Sequence, residues 1–185
     1  MLLKIVVSLI TFFSGNPKLG LSNFLFRLVC HLTPLVNVDL IARSPSGSVL
    51  LTWRDDDDFG PGWHIPGGVI RLKELAVNRV IVVAKNEIQA DIASSEAKLV
   101  HLHEHISINK IRGHGYSLLY EYLMSQSNVF KYEEFNSLKK YKRGDAVWHA
   151  CIPDLFIKEQ MPLKHIIFGE KIDSGQISSS QEVFY

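Results

Sequence analysis

The sequence predicts a single α+β domain, and three observations predict it. Apolar residues alternate with polar ones in several segments, as in LVNVDLIAR (35–43), which is the period of a half-buried strand. Two other stretches, LSNFLFRLVCHL (21–32) and KELAVNRVIVVAKNEIQA (73–90), space their apolar residues for a helix. Finally, 185 residues with 46% hydrophobic content suffice for one well-buried core, and no repeat or low-complexity linker divides the chain.

The elements follow in order. MLLKIVVSLITFF is an apolar run with one Lys, interrupted by Ser8 and Thr11. It falls short of the about 20 apolar residues that span a bilayer, and SGNPKLG after it has no A-x-A-type cleavage site. Residues 1–17 are therefore expected to be an extension (an extra helix, a strand or a disordered segment) with no stable membrane insertion. In the next stretch Leu21, Phe24, Leu25, Leu28 and Val29 share a helical face, and Pro34 stops that helix. LVNVDLIAR is then a strand, SPSG a turn, and SVLLTWR the second arm of a hairpin. DDDDFGPG (55–62) is a loop, because adjacent acids repel and Gly-Pro-Gly continues neither regular element. WHIP is a short strand entering a Gly67-Gly68 turn.

Residues 73–90 are ambiguous on propensity. Val80-Ile81-Val82-Val83 favours a strand, whereas Leu72, Leu75, Ala76, Val80, Val83 and Ala84 fit one helical face; the length without a turn residue selects a helix. AKLVHLHEHISI (97–108) and YSLLYEYLM (116–124) are two long strands joined by Asn-Lys-Ile-Arg-Gly. DAVWHA is a last short strand, followed by a helix opening at Pro153-Asp154. The Ser-rich segment 170–185 is expected to fray.

Charge narrows the function. With 20 basic and 19 acidic residues the net charge is +1, so no global field draws nucleic acid or an anionic surface. An anionic substrate must be held by local groups. Cys30 and Cys151 stand in unrelated contexts without metal-ligand spacing, as small hydrophobes do in a reducing, cytoplasmic setting.

GWHIPGGVIRLKELAVNRVIVVAKNEIQA (62–90) carries the chemistry: Gly68, then Glu74 six residues on, then Glu87 thirteen further. On this spacing the chain resembles the Nudix hydrolase family, whose box reads Gly, five residues, Glu, seven residues, Arg-Glu-aliphatic-x-Glu-Glu-x-Gly-aliphatic. Gly68, Glu74 and Glu87 match. Val82 stands for the box Arg, Val83 and Asn86 for two of its Glu, and Gln89 for its Gly. TPLVNVDLI, GSVLLTWR and GWHIPGG follow the family's order, so the resemblance covers roughly residues 20 to 168. It implies a Nudix α/β/α sandwich with a mixed, largely antiparallel sheet over 18–169.

Within the family the chain looks most like the GDP-mannose mannosyl hydrolase branch, whose box is also depleted of Glu. That likeness implies a homodimer cleaving a small-molecule nucleotide sugar by water attack at the sugar carbon, with Mg²⁺ (Mn²⁺ as the alternative ion) and a His general base. The apolar amino-terminal segment offers an interface for such a dimer. Glu87 would be both metal ligand and catalytic residue, with the Gly67 carbonyl as a second ligand, because Mg²⁺ often takes only one or two protein carboxylates. Glu74 would pin the loop to the helix, with Arg79 replacing the missing box Arg.

Arg112 would grip diphosphate, and Asp39 and Arg54 match substrate-binding positions of the branch. His114 lies where the branch keeps its base, with Gly115 or Tyr116 aligning there in a shifted register and His105 as substitute. His101, His103 and His105 alternate along one strand face, about 7 Å apart at each step, too far for one zinc ion. The branch's Arg directly after Gly-Gly is Val69 here. Two other readings remain: pyrophosphate cleavage of another nucleoside diphosphate derivative, and a binding module without turnover.

Overall fold

The computed structural model describes residues 2–14, 16–56, 59–107 and 110–169. Two helices open the chain, α1 (Leu2–Ser14) and α2 (Asn23–Leu32). α2 begins where the Ser22 hydroxyl accepts from the Leu25 N–H and ends at Thr33, one residue before the proline. Of the three forms open to the extension, 2–14 takes the helical one.

Seven strands form one mixed sheet: β1 (Leu35–Arg43), β2 (Val49–Arg54), β3 (Gly62–His64), β4 (Gly67–Val69), β5 (Lys98–Ile106), β6 (His114–Leu123) and β7 (Ala146–His149). The strand order is β3-β2-β1-β6-β5, with β4 paired to β1 and β7 to β2. β1 lies at its centre, parallel to β6 over nine residues from Leu35↔Gly115 to Arg43↔Leu123. Its hairpin with β2 is joined at Arg43↔Val49, since the rest of β1 is engaged by β4 and β6.

A strand so placed must be apolar on both faces. Val38, Leu40 and Ala42 point to one side, where α3 (Ala76–Ile88) lays Val80, Val83, Ala84 and Ile88 on them. Ile41 points to the other, against Leu51, Trp63, Ile65, Leu119, Leu163 and Ile167. Burial of the α3 stripe settles the ambiguity of 73–90 as helix.

Two expectations are corrected. Gly67-Gly68 is strand β4, not a turn, and neither residue has a positive φ. The helix expected at Pro153 starts later: a 3-10 helix spans Lys158–Leu163 and leads into a short helix at Lys164–Phe168, because Phe156 and Ile157 are held extended against Trp63. The 170–185 tail and part of the Asp55–Asp58 run lie outside the described residues. Among the described residues no helix is long and apolar enough to cross a membrane.

A candidate active-site cleft

A cleft of about 470 Å³ opens on the Ile41 side of the sheet, and Asp39, Arg54, Gly67, Glu87 and Arg112 all line it. Backbone alternation explains how these meet. Asp39 follows Val38 and precedes Leu40, so it leaves β1 on the cleft side while its neighbours enter the α3 core. β4 pairs with β1 through the Leu40 N–H to Pro66 and Ile70 N–H to Val36 hydrogen bonds. By the antiparallel alternation, the Gly67 N–H and C=O therefore point away from β1. They face Glu87, which leaves the last turn of α3 and accepts a hydrogen bond from the Gly67 backbone.

The glycine at 67 is needed for space. A Cβ there would stand 2.2 Å from Asp39 Oδ1 and 3.0 Å from the Val38 carbonyl. Asp39 and Glu87 are thus brought together with little solvent between them. Burial pushes Glu87 up to about 7, with the Asp39 charge as the next cause. Burial likewise pushes Asp39 up to about 6, against the Ser117 hydrogen bond and the Arg112 and Arg54 charges that lower it. Two neighbouring carboxylates that resist ionisation favour a cation between them.

The opposite rim is cationic. Arg54 donates from Nε and Nη2 to Asp56 Oδ2 at 2.8 and 2.5 Å. The Phe59 ring lies under Arg54, Lys110 and Arg112 at 4.8, 4.5 and 5.3 Å, and Lys110 pairs with Glu159 of the 3-10 helix. Arg112 Nε is buried without a hydrogen-bond partner among the described residues. Arg143, from the loop before β7, completes the rim. Such forks suit phosphate oxygens.

The histidines divide by strand parity. His101, His103 and His105 stack along β5 with ring centroids 6.5 and 6.4 Å apart, and among the described residues no group of three potential ligands converges on a metal position. His103 and His105 line the cleft. Burial holds both below the ordinary imidazole value, and for His105 the charges of His114 and Arg112 add to it. Each is therefore a neutral acceptor near pH 7. Gly115 makes room for His105, whose Cε1 would lie 2.8 Å from a Cβ there.

His114 is not brought to the cleft. β6 turns Ser117 to Asp39, so His114 and Tyr116 share the other face, where both bond Glu104 at 3.1 and 2.6 Å. The base expected at His114 is corrected on that ground, and so is the shifted register at Tyr116.

The Gly-Gly strand is pinned from both ends. On one side Gln160 accepts from the Ile65 N–H at 2.9 Å. His64 Nδ1 meets the Ile65 carbonyl at 2.7 Å, which assigns it the proton and leaves Nε2 to accept from Thr52 at 3.1 Å. Burial drives His64 down to about 4, so it stays neutral. On the other side Glu74 Oε2 accepts from Arg79 Nε and Nη2 at 2.9 and 2.7 Å and from the Arg71 N–H at 2.8 Å. Arg79 in turn packs under Gly68.

The altered box positions follow the same geometry. Val83 is buried in the α3 core, while Asn86 and Gln89 border the cleft beside Glu87. Sequence reasoning missed Ser117, Thr52, His64, Gln160 and Arg143 as cleft residues. Ser117 had a signal, a small hydroxyl directly before the apolar Leu118-Leu119 pair; Gln160 had none.

The donor set fits one hard cation. Asp39, Glu87 and the outward Gly67 carbonyl are oxygen donors of the kind Mg²⁺ and Mn²⁺ take, with ligand phosphates completing the sphere. They do not supply the carboxylates for a cluster of ions.

No protein-family model matches the chain. Over 113 residues it is 26% identical to the low-salt glycan biosynthesis protein Agl8 of Haloferax volcanii, covering 59% of this chain and 71% of that protein. A MutT NUDIX hydrolase from Burkholderia pseudomallei superposes with a TM-score of 0.54 at 17% identity, over 76% of this chain and 99% of that one. A bifunctional NMN adenylyltransferase/ADP ribose pyrophosphatase from Francisella tularensis, complexed with AMP and a manganese ion, gives 0.55 at 12% identity over 81% of this chain. The chain spans 48% of that larger protein. These likenesses show the fold: an α+β Nudix fold built on a mixed sheet.

Proposed function

We propose that the chain is a divalent-metal-dependent hydrolase of the Nudix type that cleaves a GDP-mannose-like nucleoside diphosphate sugar, releasing nucleoside diphosphate and free sugar. The observation that carries it is the cleft's division of labour: two neighbouring carboxylates, an Arg54–Arg112–Arg143 rim, and a neutral His105 in the lining of the same cleft. Glu87, Asp39 and the Gly67 carbonyl would hold Mg²⁺ or Mn²⁺. The ion would supply positive charge to the diphosphate as it departs.

The remaining work falls to the chain. Arg54 and Arg112 bind and orient the diphosphate. His105 accepts the proton of the attacking water, whose oxygen bonds the sugar carbon as the carbon–oxygen bond to diphosphate breaks with its electron pair. Glu74 and Arg79 act as positioning residues by fixing the Gly67-Gly68 strand. This work belongs in the cytoplasm, on a homodimer, with a small-molecule substrate and no nucleic acid. The glycan-biosynthesis name of the Haloferax relative agrees with a sugar-bearing substrate.

A second reading, pyrophosphate cleavage, is favoured by the ADP ribose pyrophosphatase name of the Francisella neighbour. Against it stand Val83 and Asn86, where phosphorus attack would want carboxylates.

The deciding experiment identifies the products from GDP-mannose and Mg²⁺, for wild type beside Glu87→Gln. GDP and mannose, lost in the variant, are expected. GMP and sugar phosphate would establish pyrophosphate cleavage instead. Binding without turnover across nucleotide sugars and nucleoside diphosphates would leave a module that only binds.

A further inference from the structure

The amino-terminal helices make a surface that the cleft chemistry does not use. Every residue of α1 from Leu3 to Phe12 is exposed. At 100° per residue, Lys4, Ser8 and Thr11 occupy one narrow stripe, while Leu3, Ile5, Val6, Val7, Leu9, Ile10 and Phe12 sweep about 220°. α2 adds Phe24, Leu28 and Leu32 at four-residue steps, exposed by 76%, 43% and 74%. Leaving this much apolar surface in water is costly, and a 13-residue helix is marginal by itself.

Charge says what covers it. From Met1 to Val38 the chain carries Lys4, Lys18 and Arg27 and no acidic residue; the first acid, Asp39, is inside the cleft. All three cations are exposed. Arg71 joins them at the α1–α2 junction, where its guanidinium donates to the Lys18 carbonyl at 3.3 Å. A net charge of +1 hides this local excess, because the acids lie elsewhere. A second copy docked symmetrically through this face would set cations against cations. A wide apolar arc flanked only by cations matches an anionic lipid surface instead. At about 1.5 Å per residue, α1 is about 20 Å long against a hydrocarbon core of about 30 Å, so it lies in the interface.

We propose that α1 and α2 dock this protein on an anionic lipid bilayer, α1 lying in the plane of the interface with Lys4, Lys18 and Arg27 at the headgroups. Phe26, on the far side of α2, stacks on Arg112 at 5.4 Å, so the docking helix also touches the cleft.

The test is co-sedimentation of the full chain with phosphatidylserine-rich and pure phosphatidylcholine vesicles. Binding should favour phosphatidylserine and fall at high salt. Lys4→Gln, Lys18→Gln and Arg27→Gln should each weaken it about fivefold. Leu3→Asn with Phe12→Asn should abolish it, while circular dichroism stays unchanged because both side chains are exposed. Equal binding to both vesicles, or none, would overturn the proposal. So would a dimer in light scattering that the Leu3→Asn/Phe12→Asn variant dissociates while vesicles stay unbound.

Discussion

Helix α3 is bracketed by two glutamates, one just before its first turn and one in its last, and they live in opposite surroundings. Glu74 is saturated: Arg79 and the Arg71 N–H supply its hydrogen bonds, and Arg79 is itself buried. Glu87 is the reverse. It looks across at another carboxylate, burial and that neighbour push it up to about 7, and the cation that would relieve both must come from solution. One site is complete within the protein and gives stability. The other is incomplete and, on the proposed function, would take up an ion. Natural sites of chemistry are expected to break local rules in this way.

Exchanging the two glutamates' fates is the sharpest way to break the comparison. Glu87→Gln should cost about 1,000-fold in Mg²⁺-dependent turnover. Yet metal-free stability at about pH 8 should hold or rise by up to about 1 kcal/mol, read by denaturant melts. The sign follows from a raised folded pKa: Glu87 stabilises fully below its unfolded value of 4.5 and loses that as pH passes about 7. Arg79→Met should do the opposite, lowering stability by about 3 kcal/mol because Glu74, largely shielded from water, loses its cation and keeps only the Arg71 N–H. If Glu87→Gln destabilises as much as Arg79→Met, the contrast fails.

The two faces of the β5–β6 pair sharpen it next. His105→Ala, on the cleft face, should cost about 100-fold in kcat and flatten the acid limb of the kcat profile, as loss of a general base does. His114→Ala should change kcat less than threefold. The reverse ranking would mean that the strand pairing in solution differs by one residue.

His149 gives the smallest effect. It stacks on Phe135 and meets Trp63 edge-on, each at 4.7 Å, and burial holds it down to about 4. Like Glu87 it is a group whose charged form burial disfavours, but it solves the problem by staying neutral. With a folded pKa below the unfolded 6.5, its stabilising contribution is complete above about pH 6.5 and is lost as pH falls towards 4. His149→Phe should flatten that acid slope, by about 2 kcal/mol across the window, in thermal melts at stepped pH. An unchanged slope would place the proton elsewhere, with His64 as the next buried imidazole.

Much of this was legible in the chain. LVNVDLIAR showed its alternation, SVLLTWR its place as a hairpin arm, and the helix after Leu21 its apolar face and its stop at Pro34. The positions of Gly68, Glu74 and Glu87 marked a strand–loop–helix unit before any contact was known. Less was legible at the site. Gly67-Gly68 looks like a turn because glycine usually supplies positive φ, whereas here it supplies the missing Cβ that Asp39 requires. The helix expected at Pro153 was displaced because Trp63 holds Phe156 and Ile157 extended, a contact about 90 residues away in sequence.

The sequence by itself determined which residues alternate, which share a helical stripe, and how many carboxylates the 62–90 stretch can offer. These are properties of spacing, and spacing survives in one dimension. Only the tertiary structure decided which alternate set faces the cleft. A strand reverses its two faces with a shift of one residue, and that register is set by its neighbours: β6 against β1, and β4 against β1. His105 and His114 are both histidines near the same hairpin end; pairing through β6 to Asp39's strand turns one to the cleft face and the other to the opposite face.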